Sequence, residues 1–173
     1  TNSPALVRKV HDVLAARNVS MLDAPVSGGM EGALTRDLTV LVGGNSNTLK
    51  KCAPVLEAIS KTVLHVGPIG AGCICKITHN CASFVRSMAL IECLTVGVKA
   101  GVDADILIDA FTTGALGTNM DFHVRMPATI FKGDFEPRFA LKIAHKDITL
   151  ATELADEIDV PMKLAEACKA EMA

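Results

Sequence analysis

Gly70-Ala71-Gly72-Cys73-Ile74-Cys75-Lys76-Ile77-Thr78-His79-Asn80 is the stretch where the chain changes character. A glycine turn opens a long apolar run at helical spacing, and the run at once carries a lysine and, four residues on, an asparagine. Residues at i and i+4 share a helix face, so Lys76 and Asn80 point the same way from the turn. A cation and an amide in apolar surroundings make a small polar site, and desolvation lowers a lysine pKa toward the range where it can pass a proton. A lysine snorkelling off a buried helix has the same spacing, so the pair alone does not separate catalysis from packing.

Upstream of Gly70 the pattern alternates. Ser3-Pro4 opens an amphipathic helix, with proline in the first turn and Leu6, Val7, Val10, Val13 and Leu14 on its apolar side, running to about Arg17. Short strands are expected at Val19 to Asp23, Leu38 to Val42 and Val63 to Val66, with a helix at about Thr48 to Ile59 between the last two. That is the closing part of an α/β sheet. Downstream the period is helical throughout: a long helix over roughly 70–100, a second from Asp103 to Phe111, a third over about 138–158 after Pro137, and a fourth opened by Pro161. Thr112 to Asp134, rich in Gly and Thr and holding Pro127, reads as loop with at most short helical pieces. The fold class is therefore α/β followed by all-α.

A second stretch bears on chemistry. In Asp23-Ala24-Pro25-Val26-Ser27-Gly28-Gly29, the end of an apolar strand runs into a turn poor in side chains. Backbone N–H groups can converge there on an anion, with the Ser27 hydroxyl beside them. Gly and Ser are equally ordinary turn residues.

Composition excludes several classes. Half the residues are apolar, the net charge is −2, and Trp and Tyr are absent, so there is neither a basic face nor an aromatic platform for nucleic acid. Of the six cysteines, Cys73 and Cys75 are separated by one residue, and Cys81 and Cys93 lie in the same apolar run. That pattern fits small hydrophobes in a reducing compartment better than a disulfide framework or a zinc site. The five histidines form no His-x-x-x-His pair, and no metal is expected. Arg86, Glu92 and Lys99 interrupt the apolar stretch 81–102 and favour a buried helix over a bilayer crossing. A helix apolar nearly all round needs cover from another domain or subunit, and a homodimer or homotetramer is the expectation.

Four blocks in order carry a resemblance to the β-hydroxyacid dehydrogenase family, which includes the 3-hydroxyisobutyrate dehydrogenases. Thr1-Asn2-Ser3-Pro4 is similar to the tail of the family's Ser-Thr-x-x-Pro, Asp23 to Gly29 to its Asp-Ala-Pro-Val-Ser-Gly-Gly, and Gly70 to Asn80 to its Gly-x-Gly-x-x-x-Lys-x-x-x-Asn. Phe139 to Ala151 resembles its Phe-x-Leu-x-x-x-x-Lys-Asp-x-x-Leu-Ala, with Lys146, Asp147, Leu150 and Ala151 in register. The resemblance implies hydride transfer between NAD or NADP and a small β-hydroxy acid or its semialdehyde, such as 3-hydroxyisobutyrate. It makes Lys76 the general acid/base and Asn80 its hydrogen-bonding partner on the substrate. Ser27, Gly28 and Gly29 become the carboxylate site, Thr1 and Lys146 contacts of the nicotinamide cofactor, and Phe139 and Asp147 cofactor-binding residues that close the cleft. On their own, Lys146 and Asp147 read as a solvated helix face.

The resemblance also implies the organisation: residues 1–68 as the C-terminal remnant of a Rossmann domain, and 69–173 as a truncated helical substrate and dimerisation domain joined to it by the long helix. The phosphate-binding Gly-x-Gly-x-x-Gly is absent from the sequence, since Gly67, Gly70 and Gly72 run in the opposite order. The chain is thus expected to start inside the first domain and to be inactive alone, in a parent located in the cytoplasm or mitochondrial matrix. Two departures stand out. Arg36 occupies a position where the family has glycine, and Ser83 stands where the related 6-phosphogluconate dehydrogenases place the glutamate of their decarboxylating step. Non-catalytic members that serve as assembly modules replace the lysine, and here Lys76 is present.

Overall fold

The computed structural model describes residues 1–114, 116 and 126–173. Its contacts fall into two compact units, Thr1–Ala82 with Lys142–Ala173, and Ser83–Leu141. The chain leaves the first unit partway along its longest described helix and later returns to it.

The first unit begins with α1 (Pro4–Ala15), whose cap Ser3 accepts from the Leu6 amide at 3.1 Å with Pro4 at the first helical position. There follow β1 (Leu22–Asp23), β2 (Val26–Ser27), α2 (Gly29–Thr35), β3 (Thr39–Gly44), α3 (Ser46–Ile59), β4 (Thr62–Gly67) and α4 (Ala71–Lys99). Strand β3 is central. On one edge it pairs in parallel with β4, starting at Thr39↔Thr62, with α3 as the crossover. On the other edge β1 and β2 both pair antiparallel with it, through Leu22↔Gly44, Asp23↔Gly43, Val26↔Val40 and Ser27↔Thr39. The register is continuous, so β1 and β2 are two halves of one strand interrupted at Ala24-Pro25. Proline has no N–H to give the ladder, yet the Pro25 carbonyl still accepts from the Leu41 amide at 2.9 Å.

Two elements differ from the sequence reading. The first strand covers only Leu22–Asp23 of the expected span and resumes beyond the proline, and Gly29–Thr35 forms a helix where only a turn was legible. Gly29 and Gly32 weaken the helical signal there.

After α4 come α5 (Ala104–Thr113), α6 (Met126–Ala128), a 3-10 turn (Ile130–Lys132), α7 (Leu141–Glu157) and α8 (Lys163–Glu171). The expected loop Thr112–Asp134 lies partly outside the described residues, and its described part holds the end of α5, α6 and the 3-10 turn. Helix α7 buries Ala144, Asp147, Ile148, Ala151, Thr152 and Ala155, a single stripe at helical spacing. The core of the first unit joins Val40 and Val42 of the sheet, Ile77 of α4 and Ile148 of α7, none with any exposure, to Cys73, Cys81, Ala165 and Cys168. Most of its helical residues are small, which permits close helix approach. Lys169 on α8 donates to the buried Thr152 hydroxyl at 3.1 Å, tying α8 to α7.

In the second unit Leu90 of α4 and Met126 of α6 are buried together, with Leu94 and Phe111 packed on them. Phe84 and Phe139 stack with ring centroids 5.9 Å apart. A cavity of about 310 Å³ lies among Ile91, Leu94, Val98, Ile108, Ile130 and Phe131. By length and composition α4 is long and apolar enough to cross a membrane, while its first three turns pack in the core of the first unit.

Candidate active site

The start of α4 is set directly against the sheet. Gly70, at φ +91°, turns the chain out of β4 into the helix. Gly72 faces the backbone of Leu41 and Asp23, and a Cβ there would collide with both carbonyls. Gly43 on β3 is equally tight against the Asp23 carboxylate and the Gly72 amide. Only glycine pairs permit this approach. Between them lies Asp23, buried, its two oxygens accepting from the Gly70 amide at 2.7 Å and the Cys73 amide at 2.8 Å. Those N–H groups belong to the helix start and have no partner within the helix. The neighbouring Cys73 thiol is pushed above its ordinary pKa, first by burial.

Lys76 follows Cys73 by one turn and is half-buried. Burial holds its pKa below the ordinary lysine value, and the charge of Asp147 on α7 acts in the opposite sense. One turn further, buried Asn80 donates through Nδ2 to Asp147 Oδ2 at 2.7 Å. A carboxylate only accepts, so this bond fixes the amide's orientation. The Asn80 carbonyl oxygen faces away, with His79 Nδ1 at 3.4 Å. Asp147 is 2 % exposed and has Lys146 Nζ at 2.9 Å from Oδ1. Lys146, about half exposed, also donates to the Thr1 carbonyl at 2.8 Å.

Of the residues picked out in the sequence, Lys76, Asn80, Asp147, Lys146 and Thr1 are therefore joined through α4, α7 and the N-terminal segment. Ser27 lies in the same unit, half-buried, on the part of β2 that pairs with Thr39. Gly28 and Gly29 are exposed at φ +136° and +65°, backbone that side-chain-bearing residues rarely adopt. Phe139 belongs to the second unit, where it stacks on Phe84. Asp147 is enclosed, and the groups around its carboxylate are Asn80, Lys146 and Lys76. Asp23 was missed as a site residue. It stood at the head of the Asp-Ala-Pro-Val-Ser-Gly-Gly block, but its partners lie 47 and 50 residues away, so nothing local showed what it holds.

A family model described as the NAD-binding domain of NADP-dependent 3-hydroxyisobutyrate dehydrogenase matches residues 70–173, and one for the NAD-binding domain of 6-phosphogluconate dehydrogenase matches residues 1–67. The chain belongs to the β-hydroxyacid dehydrogenase family. It is similar to the 2-(hydroxymethyl)glutarate dehydrogenase of Eubacterium barkeri, at 35 % identity over 94 % of this chain and 54 % of that protein. It is also similar to the NAD-dependent L-serine dehydrogenase of Pseudomonas aeruginosa, at 32 % identity over 90 % of this chain and 54 % of that one. The chain spans about half the length of these curated relatives. Among solved structures, a 3-hydroxyisobutyrate dehydrogenase from Salmonella typhimurium superposes with a TM-score of 0.86 at 32 % identity, covering 98 % of this chain and 59 % of that one. A Mycobacterium tuberculosis 3-hydroxyisobutyrate dehydrogenase with L-serine gives 0.89 at 29 % identity over 98 % and 60 %. The cofactor class of this β-hydroxyacid dehydrogenase chain is NAD or NADP. Thr1 and Lys146, far apart in sequence, meet here through the Thr1 carbonyl and the Lys146 ammonium. A donor beside an acceptor is the complement of the polar carboxamide end of a nicotinamide.

Proposed function

We propose that the protein to which this chain belongs is an NAD(P)-dependent oxidoreductase acting on a small β-hydroxy acid, of the size of 3-hydroxyisobutyrate, or on the corresponding semialdehyde. A bound nicotinamide would supply the hydride acceptor in oxidation and the hydride donor in reduction. Lys76 removes the hydroxyl proton in oxidation and protonates the carbonyl oxygen in reduction. Asn80, held by Asp147, presents a fixed amide to the reacting oxygen. The Ser27 hydroxyl and the open backbone of Gly28 and Gly29 take the carboxylate, and Thr1 with Lys146 holds the nicotinamide end. The observation that carries this reading is the half-buried Lys76, its pKa lowered by burial, on one helix with an Asn80 whose orientation is fixed by a buried carboxylate. The named substrates of the relatives, 2-(hydroxymethyl)glutarate and L-serine, each pair a hydroxyl with a carboxylate.

In the full-length protein, Lys76→Ala should lower kcat at least about a hundredfold with cofactor affinity unchanged, since a positioned acid/base group contributes roughly 10² to 10⁴. Near-normal turnover in steady-state assays removes Lys76 from the mechanism. A panel of β-hydroxy acids and their methyl esters tests the Ser27 turn, because a neutral ester leaves its donors without their charge partner. The acids should be oxidised and the esters poorly so, whereas equal rates would show that the turn does not hold a carboxylate.

A further inference from the structure

Asp23 is a buried carboxylate that no step of the proposed chemistry uses. Its neighbours in sequence and in space are the two halves of the candidate site. Along the chain it stands four residues before Ser27, at the point where β1 breaks and resumes as β2. In space its oxygens hold the Gly70 and Cys73 amides at 2.7 and 2.8 Å, at the start of the helix that carries Lys76 one turn on. The strand and the helix touch the same segment of β3. Leu41 donates its amide to Pro25 at 2.9 Å, while its carbonyl lies against Gly72. Gly43, opposite Asp23 in the ladder, leaves no room for any side chain beside the carboxylate.

We propose that Asp23 is a positioning residue, a rivet that fixes the turn of Ser27, Gly28 and Gly29 and the Lys76 helix start relative to each other. Resting on the functional reading above, the proposal assigns a role to a residue outside the reacting groups. A helix could be capped by a serine or threonine from its own preceding turn. Here the cap comes from a strand 47 residues upstream, so the same side chain that satisfies the helix also ties down the substrate turn. Both carboxylate oxygens are engaged, which fixes rotation of the helix start as well as its distance. The glycines at 43 and 72 hold the junction at contact distance, and displacement of reacting groups by about 1 Å costs on the order of a hundredfold in rate.

The test uses Asp23→Asn and Asp23→Ser in the full-length protein, with steady-state kinetics below the melting temperature and amide hydrogen exchange. Asparagine turns an N–H toward one of the two backbone amides, and serine is too short to reach both. For both variants we expect kcat/KM for the hydroxy acid to fall at least about tenfold, with KM for the acid raised and KM for the nicotinamide unchanged. Exchange at Gly70 and Cys73 should quicken while α7 stays protected. A residue that only stabilises the fold would lower the amount of active enzyme and leave both KM values as in the wild type, and that result overturns the proposal. So does failure of both variants to fold, which would make the carboxylate a purely structural requirement. If the wild type oxidises no hydroxy acid at all, the functional reading fails, and the exchange arm still decides the rivet: unchanged exchange at Gly70 and Cys73 in Asp23→Asn refutes it.

Discussion

At the scale of single residues, the site is governed by which carboxylate faces which donor. Burial disfavours the Lys76 cation more than the charge of Asp147 favours it, so its pKa lies below the ordinary lysine value. In the oxidation direction the lysine must be neutral to take a proton. Activity should therefore rise with pH through the lysine pKa, on a limb below the ordinary lysine range. Asp147→Asn keeps a hydrogen-bonding group of the same shape but removes the charge that stabilises the cation, so this limb should move to lower pH. A pH profile of kcat/KM for both proteins checks it, and a move to higher pH would show that Asp147 is not the counter-charge of Lys76. Lys76 and Asn80 were legible in the sequence because one helix carries both at i and i+4. The role of Asp147 was not. Its lysine neighbour made the dipeptide read as a solvated pair or a cofactor contact, and only the return of α7 against α4 shows the carboxylate enclosed and bonded to Asn80.

At the scale of elements, the long helix announced itself through an apolar run that few charges interrupt, and the alternation before it gave β3, α3 and β4. The interrupted strand and α2 escaped notice for local reasons. Pro25 hides the continuity of β1 with β2, and glycines weaken the pattern of Gly29–Thr35. The turn that ends α2 stores strain the sequence did foreshadow: Arg36 sits at φ +60°, in the left-handed region, where the family has glycine. A side chain there costs about 1–2 kcal/mol relative to the right-handed conformation. Arg36→Gly should thus raise stability by about 1 kcal/mol after the extra chain entropy of glycine is set against it. Thermal unfolding should show a melting temperature roughly 2–4 °C higher, and a lower one would mean that the Arg36 side chain makes a stabilising contact outweighing the strain.

At the scale of the whole molecule, the second unit leaves much apolar surface uncovered. Ile91, Val96 and Val98 of α4 and Ile106 of α5 are all exposed, beside the cavity under Leu94 and Ile108. Exposed apolar patches larger than is usual on a monomer mark interaction surfaces, ligand grooves or aggregation-prone sites. We expect the full-length protein to be a homodimer or homotetramer held through this unit, and sedimentation at micromolar concentration to show it, a clean monomer being the contrary result. The path of the chain has another consequence, for the order of events during synthesis. The first unit is left at Ala82 and rejoined at Lys142. Asp147 is therefore made 67 residues after Asn80, its hydrogen-bonding partner. At ribosomal rates of ~5–20 residues per second, the sheet and the opening turns of α4 wait several seconds for α7 to arrive. During that interval the apolar face around Ile77 and Cys81 is open to chaperones or to other nascent chains. The microenvironment of Lys76 closes only once α7 has been made, and the long span between the partners adds to the entropy cost of closing it.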